Sequence, residues 1–186
     1  MPKVKRIPFG MSDITIGEGA DVMNFNGKDY LQAEGAELTI TPIFEEINLP
    51  DVTGGVYDKR LTGWEAQLTI TAAEENIDIL EAGMMATAKI TDTTSGETVG
   101  LMDGVIGLSL RELGKKVNIH PRALGSDKSL DVTIYKMASD GEFSRTAGNE
   151  QGNVTIQLTM FIKDNADPTK PGNFFYWGPK DPNAVA

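Results

Sequence analysis

The chain of 186 residues contains no cysteine and a single histidine, His120. Without thiols it has no disulfide framework, no thiolate nucleophile and no zinc site built on sulfur, and the lack of cysteine favours a reducing compartment. One histidine cannot supply a metal cluster by itself. Its setting, Asn118-Ile119-His120-Pro121, indicates an ordinary histidine in a loop or at a sheet edge.

Basic residues and long apolar runs are also scarce. Seventeen Lys and Arg stand against 27 Asp and Glu, for a net charge of −10, and such a surface repels a nucleic-acid backbone. No stretch approaches the roughly 18 apolar residues of a membrane-spanning helix, so we predict no membrane span. The segment Met1–Phe9 carries Lys3, Lys5 and Arg6, but no apolar core follows, and a secretory signal is not predicted.

Signatures of catalysis are missing. The sequence has no Gly-x-Ser-x-Gly elbow and no phosphate-binding glycine loop. The pair Glu45-Glu46 stands on a predicted strand, where neighbouring side chains point to opposite faces, and Glu74-Glu75 suits the first turn of a helix. The stretch 92–97 (DTTSGE) imitates a calcium loop only faintly. We therefore expect a protein that is not an enzyme and that needs no cofactor and no metal.

What the sequence does have is alternation of apolar and polar residues. Between Gly63 and Ala72, Trp64, Ala66, Leu68, Ile70 and Ala72 alternate with Glu65, Gln67, Thr69 and Thr71. This period of two predicts a strand with one buried and one wetted face. The same pattern predicts strands at Ala36–Ile47, Ser129–Met137 and Val154–Lys163. Proline cannot donate to a sheet ladder, so Pro42 predicts an edge strand or a bulge.

Other elements follow from local signals. We predict a long loop over Asn48–Thr62 and a short helix over about 73–84. The helix has a capping box at Thr71-x-x-Glu74, an apolar face of Ile77, Leu80 and Met84, and a stop at Gly83. Further predictions are a strand at Ile14–Ile16, a hairpin over 21–32 turning at Asn26-Gly27, a strand at 86–91, a bent strand over 98–110 and a short strand at Val117–Ile119.

Together these elements predict a mainly β fold, a β-sandwich or partly closed barrel of antiparallel strands with one short flanking helix. We expect one domain over 14–163, an N-terminal arm over 1–13 and a C-terminal arm over 164–186. The last arm contains Phe174-Phe175-Tyr176-Trp177, which is either a strap over the chain's own core or an anchor on a neighbour. The wetted strand faces are either ordinary exposed sheet, which the residues alone favour, or the lining of a water-filled passage.

This order of elements resembles the tail tube proteins of long, non-contractile-tailed bacteriophages. The matching parts are the strand Ala36–Ile47, the loop Asn48–Thr62, the strand with Gly-Trp-Glu-Ala-Gln-Leu-Thr-Ile-Thr, the helix after it and the late strand pair. Region 98–126 departs from the pattern. The resemblance implies a β-sandwich that assembles, as hexameric rings, into a tube through which DNA leaves the capsid. It implies partners, namely further copies of the chain, a tape-measure protein, a tail terminator and a distal-tail protein, and a location in the virion tail after assembly in the bacterial cytoplasm.

Under this resemblance two sets of residues have expected roles. The expected lumen-lining residues are Glu37, Thr39, Thr41, Glu65, Gln67, Thr69, Asp131, Thr133, Thr155, Gln157 and Thr159. The expected contacts between stacked rings are Leu49, Asp51, Val52, Val56, Tyr57, Asp58, Lys59, Arg60, Phe174, Phe175, Tyr176 and Trp177. Two alternatives remain open: a monomeric β-sandwich binding module for carbohydrate or adhesion, and a tube protein of a bacterial secretion machine.

Overall fold

The structure, a computed structural model, describes residues 10–49, 51, 55–145 and 152–184. Strands make up 43% and helices 10% of it, so the fold is mainly β. In chain order the elements are β1 (Ser12–Ile16), β2 (Met23–Phe25), β3 (Glu37–Ile47), β4 (Asp58–Ala72), α1 (Ile77–Gly83), β5 (Thr87–Thr91), β6 (Thr98–Asp103), α2 (Leu110–Leu113), β7 (Lys115–Pro121), β8 (Val132–Ser139), β9 (Val154–Met160) and β10 (Phe175–Trp177). None of the helices in these residues is long and apolar enough to cross a bilayer.

The strands form an antiparallel sheet in the order β2-β1-β7-β8-β9-β4-β3, with β10 also paired to β8, and β5 and β6 form a separate hairpin. Strand β8 is shared, because it pairs with β7 from Val132 to Met137 on one side, and on the other side its first residues pair with β10 and its last residues with β9. Ile14 and Phe25 on one side of β8 and Leu68 and Ile156 on the other are fully buried in one core. The predicted antiparallel fold is confirmed, and its layout is consistent with a β-sandwich carrying a short helix.

Strand β8 is buried on both faces, which its alternating sequence does not reveal. The segment after β9 covers the second face. The Tyr135 hydroxyl donates a hydrogen bond of 2.6 Å to Asp181, and the Tyr135 ring packs against Tyr176 with 5.5 Å between centroids. In the described chain, the expected C-terminal arm therefore includes a strand, β10, that belongs to the domain's own sheet.

Strands β3 and β4 form one long hairpin. The expected loop Asn48–Thr62 is too long, because Asp58 to Thr62 belong to β4 and Asp58 pairs with Ile47. Pro42 lies within β3, the last strand in the sheet order, and the register shifts between Ile43 and Phe44. The prediction that Pro42 marks an edge or a bulge is confirmed. Both occur, since β3 is an edge strand and the register shift comes just after Pro42. An edge strand tolerates proline because it has no second neighbour that needs the missing N–H.

The helix is shorter than predicted and is capped differently. The α1 cap is Asn76, whose side-chain oxygen accepts a hydrogen bond from the backbone N–H of Ile79 at 2.9 Å. Thr71 is still part of β4, and Glu74 accepts from the N–H of Leu31. The prediction of a capping box at Thr71 is wrong, because β4 pairs with β9 as far as Ala72 and Thr71 is therefore in a strand.

The later start of α1 also turns a different face to the core. The buried residues of the helix are Ile79, Ala82 and Gly83, whereas Ile77, Leu80 and Met84 are only half-buried. Gly83 packs against β9, where an added Cβ would lie 3.8 Å from Ile156. The predicted stop at this glycine is close to the observed end, with Met84 as the C-cap.

Two other local predictions are corrected. The N-terminal hairpin is formed by β1 and β2, with Ile14 opposite Phe25, and it turns before Met23 instead of at Asn26-Gly27. The Asn26 side chain accepts from the N–H groups of Lys28 and Asp29, which folds these residues into a loop of their own.

Region 98–126 contains more regular structure than predicted. The bent strand over 98–110 ends at Asp103 and gives way to a loop and α2, and the short strand at Val117–Ile119 is the middle of the longer β7. The register places Ile119 of β7 opposite Ile14 and Val132, between β1 and β8. These contacts are distant in sequence, and so local pattern did not reveal the strand's full length.

Candidate functional site

The polar residues predicted for β3, β4 and β9 share one face of the sheet. The strand register arranges them in cross-strand rows: Glu37–Thr69–Gln157, Thr39–Gln67–Thr159, Thr41–Glu65 and Thr71–Thr155. Directly opposite side chains in an antiparallel sheet lie about 5 Å apart, so these rows form one continuous surface. We call this surface the polar face.

The polar face is wet and acidic. Glu37, Glu65 and Gln67 are exposed, whereas the other face of β4 buries Leu68 and Ile70 completely. None of the side chains in the rows is basic. At the β9 side, the hydroxyl of Thr159 donates a hydrogen bond of 2.8 Å to the carboxylate of Asp140. The carboxylate of Asp140 therefore adds a third negative charge at the β9 side of the polar face.

Two predicted members of this surface lie elsewhere. Asp131 and Thr133 are 4% and 2% exposed, so the expectation that they face water is wrong. Thr133 accepts a hydrogen bond from Asn118 on β7 and lies opposite Tyr176 of β10, while Asp131 bonds to His120. Asp131 precedes β8 and Thr133 lies within it, and contacts with β7 and with the C-terminal segment bury both side chains.

The β3–β4 hairpin presents a group of exposed apolar side chains. Its members, with their exposed fractions, are Ile43 (38%), Phe44 (51%), Leu49 (39%), Val56 (46%), Tyr57 (63%) and Leu61 (50%). The predicted contacts Asp51, Asp58, Lys59 and Arg60 are exposed on the same hairpin, and Lys59 forms a 2.7 Å ion pair with Glu46. Val52 lies outside the described residues. The hairpin therefore combines accessible apolar groups with exposed charges of both signs.

The aromatic residues of the tail pack on the chain's own domain. Phe175 contacts Trp64 of β4 edge to face, with ring centroids 5.1 Å apart, and Trp177 contacts Phe175 in the same way. Phe174 and Tyr176 are half-buried, and only Trp177 is exposed, at 55%. Of the two possibilities left open by the sequence, the strap describes most of this cluster, because its rings close the end of the core beside β4.

A histidine–carboxylate pair was missed by the sequence analysis. Nδ1 of His120 lies 2.5 Å from Asp131 Oδ1, and Nε2 lies 2.7 Å from the carbonyl oxygen of Gly125. The hydrogen bond to Asp131 is the main reason that the pKa of His120 is raised, with Gly125 adding to it. Eleven residues separate the pair, and only the pairing of β7 with β8 brings them together.

The charges around this pair are structural in character. Asp13 lies opposite His120 on β1 and accepts a hydrogen bond of 2.5 Å from Arg122. Within residues 10–49, 51, 55–145 and 152–184, no three His, Asp or Glu side chains are grouped so that they could hold a metal ion. The contacts of His120 hold the loop that contains Gly125 to the residue that precedes β8. Of the two arrangements, the polar face is the larger accessible surface.

No protein-family model matches the chain, and no curated protein matches it.

Proposed function

We propose that this chain is the structural subunit of a phage tail tube, which polymerises as stacked rings around a channel for DNA. The observation that carries the proposal is the polar face: a three-strand acidic surface without basic side chains, next to a strand edge and a protruding hairpin. The absence of lysine and arginine from this face suits the lining of a DNA conduit, because carboxylates repel phosphates and prevent the DNA from sticking.

The sheet order supports closure into a ring. Strands β3 and β2 stand at its two ends, and an end strand offers unpaired N–H and C=O groups to another chain. If β3 of one copy pairs with β2 of the next, both edge strands acquire partners and the sheets continue around a closed barrel. The polar face, which includes β3, then faces the interior of that barrel.

The hairpin supports stacking of the rings. Beyond the Pro42–Trp64 pair it carries the apolar group from Ile43 to Leu61, whose exposure an isolated domain does not require. Exposed apolar patches mark contacts with other molecules. In the proposed tube, Phe44, Val56 and Tyr57 are buried against the neighbouring ring.

Negative-stain electron microscopy of the purified chain over a range of concentrations tests this proposal. We expect rings or tubes with a central channel, formed alone or when preformed tube ends are added as seeds. A chain that remains a monodisperse monomer under both conditions contradicts the proposal. The variant Tyr57→Asp provides a matched comparison, because it should allow rings but prevent them from stacking.

One observation favours a monomeric binding module instead. Trp177 is exposed beside Phe175, and an exposed aromatic ring is the kind of surface on which sugars stack. Against it, Trp64 is engaged with Phe175 and does not extend this surface into a platform. Screening the monomer on a glycan array, with Trp177→Ala as control, separates this class from the tube. A secretion-type tube protein shares the assembly proposed here and differs in cargo.

A further inference from the structure

A cavity of about 440 Å³ opens between α1, the turn after β1 and the start of β7. Its floor is apolar and is formed by Ile16, Met23, Ala82, Met85 and Leu113. A cavity of this volume is large enough for several side chains of a bound peptide. Neither the polar face nor the hairpin contributes to it, so the proposed assembly leaves it without a role.

The charged residues of the cavity have a defined arrangement. Asp21, Asp78 and Glu81 line it together with Lys89 and Lys115. Glu81 forms a 3.0 Å ion pair with Lys89, and Asp78 accepts a hydrogen bond from the Tyr30 hydroxyl. Three carboxylates against two ammonium groups leave an excess of negative charge around an apolar floor. Such a site suits an extended segment with both basic and apolar side chains.

The first nine residues of this chain have that chemistry. The basic residues Lys3, Lys5 and Arg6 are interspersed with the apolar residues Val4, Ile7 and Phe9, in a protein whose net charge is −10. We propose that the cavity binds residues 1–9 of a second copy of the chain. This inference rests on the self-association proposed above and adds to it a specific contact between neighbours.

The position of the cavity favours a second copy over the same chain. Gly10 precedes the Ser12 end of β1, whereas the cavity includes Ile16 and the turn that follows it. A segment of the same chain must first run back along β1, which at about 3.3 Å per residue uses about five residues. Ile7 and Phe9 would then be used to span the length of β1 and could not occupy the cavity. A neighbouring copy can place all the apolar side chains in it.

A direct binding measurement tests the site without requiring assembly. A fluorescently labelled peptide of residues 1–9 is titrated with the chain lacking those residues, and fluorescence anisotropy is recorded. We expect saturable binding that weakens at least tenfold in the double variant Asp21→Lys/Asp78→Lys. The matched control Glu34→Lys/Glu97→Lys makes the same change of charge outside the cavity and should bind like the parent. No saturable binding, or equal loss in both double variants, overturns the proposal.

Disulfide trapping distinguishes binding to a neighbouring copy from binding within the same chain. Because the sequence has no native cysteine, only the introduced thiols can form a disulfide. Lys5→Cys protein is mixed with Val22→Cys protein, since Val22 lines the cavity. We expect a disulfide-linked heterodimer, and much less of one with Ser95→Cys as the partner. Equal trapping at both positions, or efficient trapping only when Lys5→Cys and Val22→Cys are in one chain, overturns the assignment to a second copy.

The two proposals fail in different ways. If the chain lacking residues 1–9 forms rings as readily as the full chain, the cavity proposal is overturned and the tube remains. If the peptide binds to the cavity but the full chain forms neither rings nor tubes with seeds, the tube proposal is overturned and the contact between copies remains.

Discussion

At the scale of single residues, His120 is the side chain whose environment is most specific. Both of its ring nitrogens face oxygen acceptors, the carboxylate of Asp131 and the carbonyl of Gly125. Only the protonated ring can donate from both nitrogens. This explains in geometric terms why the pKa of His120 is raised above its usual value. The charged ring joins the turn after β7 to the beginning of β8.

The stability of the protein should therefore depend on pH through His120. Because the folded-state pKa is higher than the unfolded one, the stabilisation is complete below about pH 6.5 and is lost as the pH rises through the raised pKa. The measurement is the free energy of unfolding in urea from pH 5.5 to 9 for the parent and for His120→Gln. At low pH we expect the free energy of unfolding of the parent to exceed that of His120→Gln by about 1.5 kcal/mol, the contribution of a hydrogen bond to a charged group. A difference that does not vary with pH contradicts the assignment.

Lys136 and Asp164 form a second residue-scale contact. The nearly buried Lys136 ammonium group lies 2.6 Å from Asp164, which also accepts a hydrogen bond from Arg111 at 2.9 Å. The bond from Lys136 is the main reason that the pKa of Asp164 is lowered. Its contribution to stability is therefore present above the unfolded pKa and is lost as the pH falls through the lower folded one.

We predict that Asp164→Ala destabilises the fold more than Lys136→Met. The first substitution leaves a buried ammonium group without its partner, whereas the second replaces that group with an apolar side chain of similar length. Urea midpoints at pH 7 measure the two effects, and both variants should show a weaker loss of stability at acid pH than the parent. The opposite order of midpoints argues that Lys136 is stabilised mainly by other contacts.

At the scale of elements, β3 determines whether the sheet can continue into another chain. The Thr62 hydroxyl donates a hydrogen bond to the carbonyl oxygen of Ile43, which places the backbone groups of that residue on the β4 side. Since these groups alternate along a strand, those of Ile40 and Pro42 point to the outer edge. Proline at position 42 is tolerated for this reason, and one further proline should be tolerated at position 40.

The variant Ile40→Pro should thus fold but assemble poorly, because it removes an outward N–H from the edge. Ile40→Ala is the matched control, since it shortens the same side chain and keeps the N–H. We expect both variants to melt at similar temperatures, and only Ile40→Ala to form rings by electron microscopy. Normal rings from Ile40→Pro indicate that the β3 edge is not the joint between copies.

The same elements show how far sequence pattern reaches. The strands at β3, β4, β8 and β9 were predicted because period-two alternation is a local property of ten or so residues. The capping box at Thr71 failed because β9 extends the pairing of β4 to Ala72. The turn at Asn26-Gly27 failed because β1 is the partner of β2 and sets its length. Local signals of cap and turn were overridden by partners distant in the sequence.

At the scale of the whole molecule, the polar face defines the proposed channel. We predict that Glu37→Lys/Glu65→Lys assembles into tubes of normal dimensions but slows the release of DNA from phage particles that carry it. Both side chains are exposed, so folding should be unaffected, while the introduced lysines attract the phosphate backbone. Release triggered by purified receptor, followed with a DNA-binding dye, measures the rate, and added salt should restore part of it.

The comparison for this experiment is Glu34→Lys/Glu97→Lys, which changes the net charge equally at two exposed positions that are not in the cross-strand rows. Release at the parental rate is expected from this control. If both double variants slow release to the same extent, the effect belongs to net charge and the polar face is not the lining.

The sequence by itself determined which side chains share a face of most strands, the interruption of regular pairing at Pro42 by an edge or a bulge, and the acidic character of the surface, because these follow from backbone periodicity and composition. The tertiary structure decided which faces stay exposed. Glu37, Glu65 and Gln67 remain in water, whereas Thr133 of β8 is buried opposite Tyr176 of β10, some forty residues further along the chain. Alternation identifies two faces of a strand, but burial depends on what the rest of the chain lays over each of them, and that is not a local property.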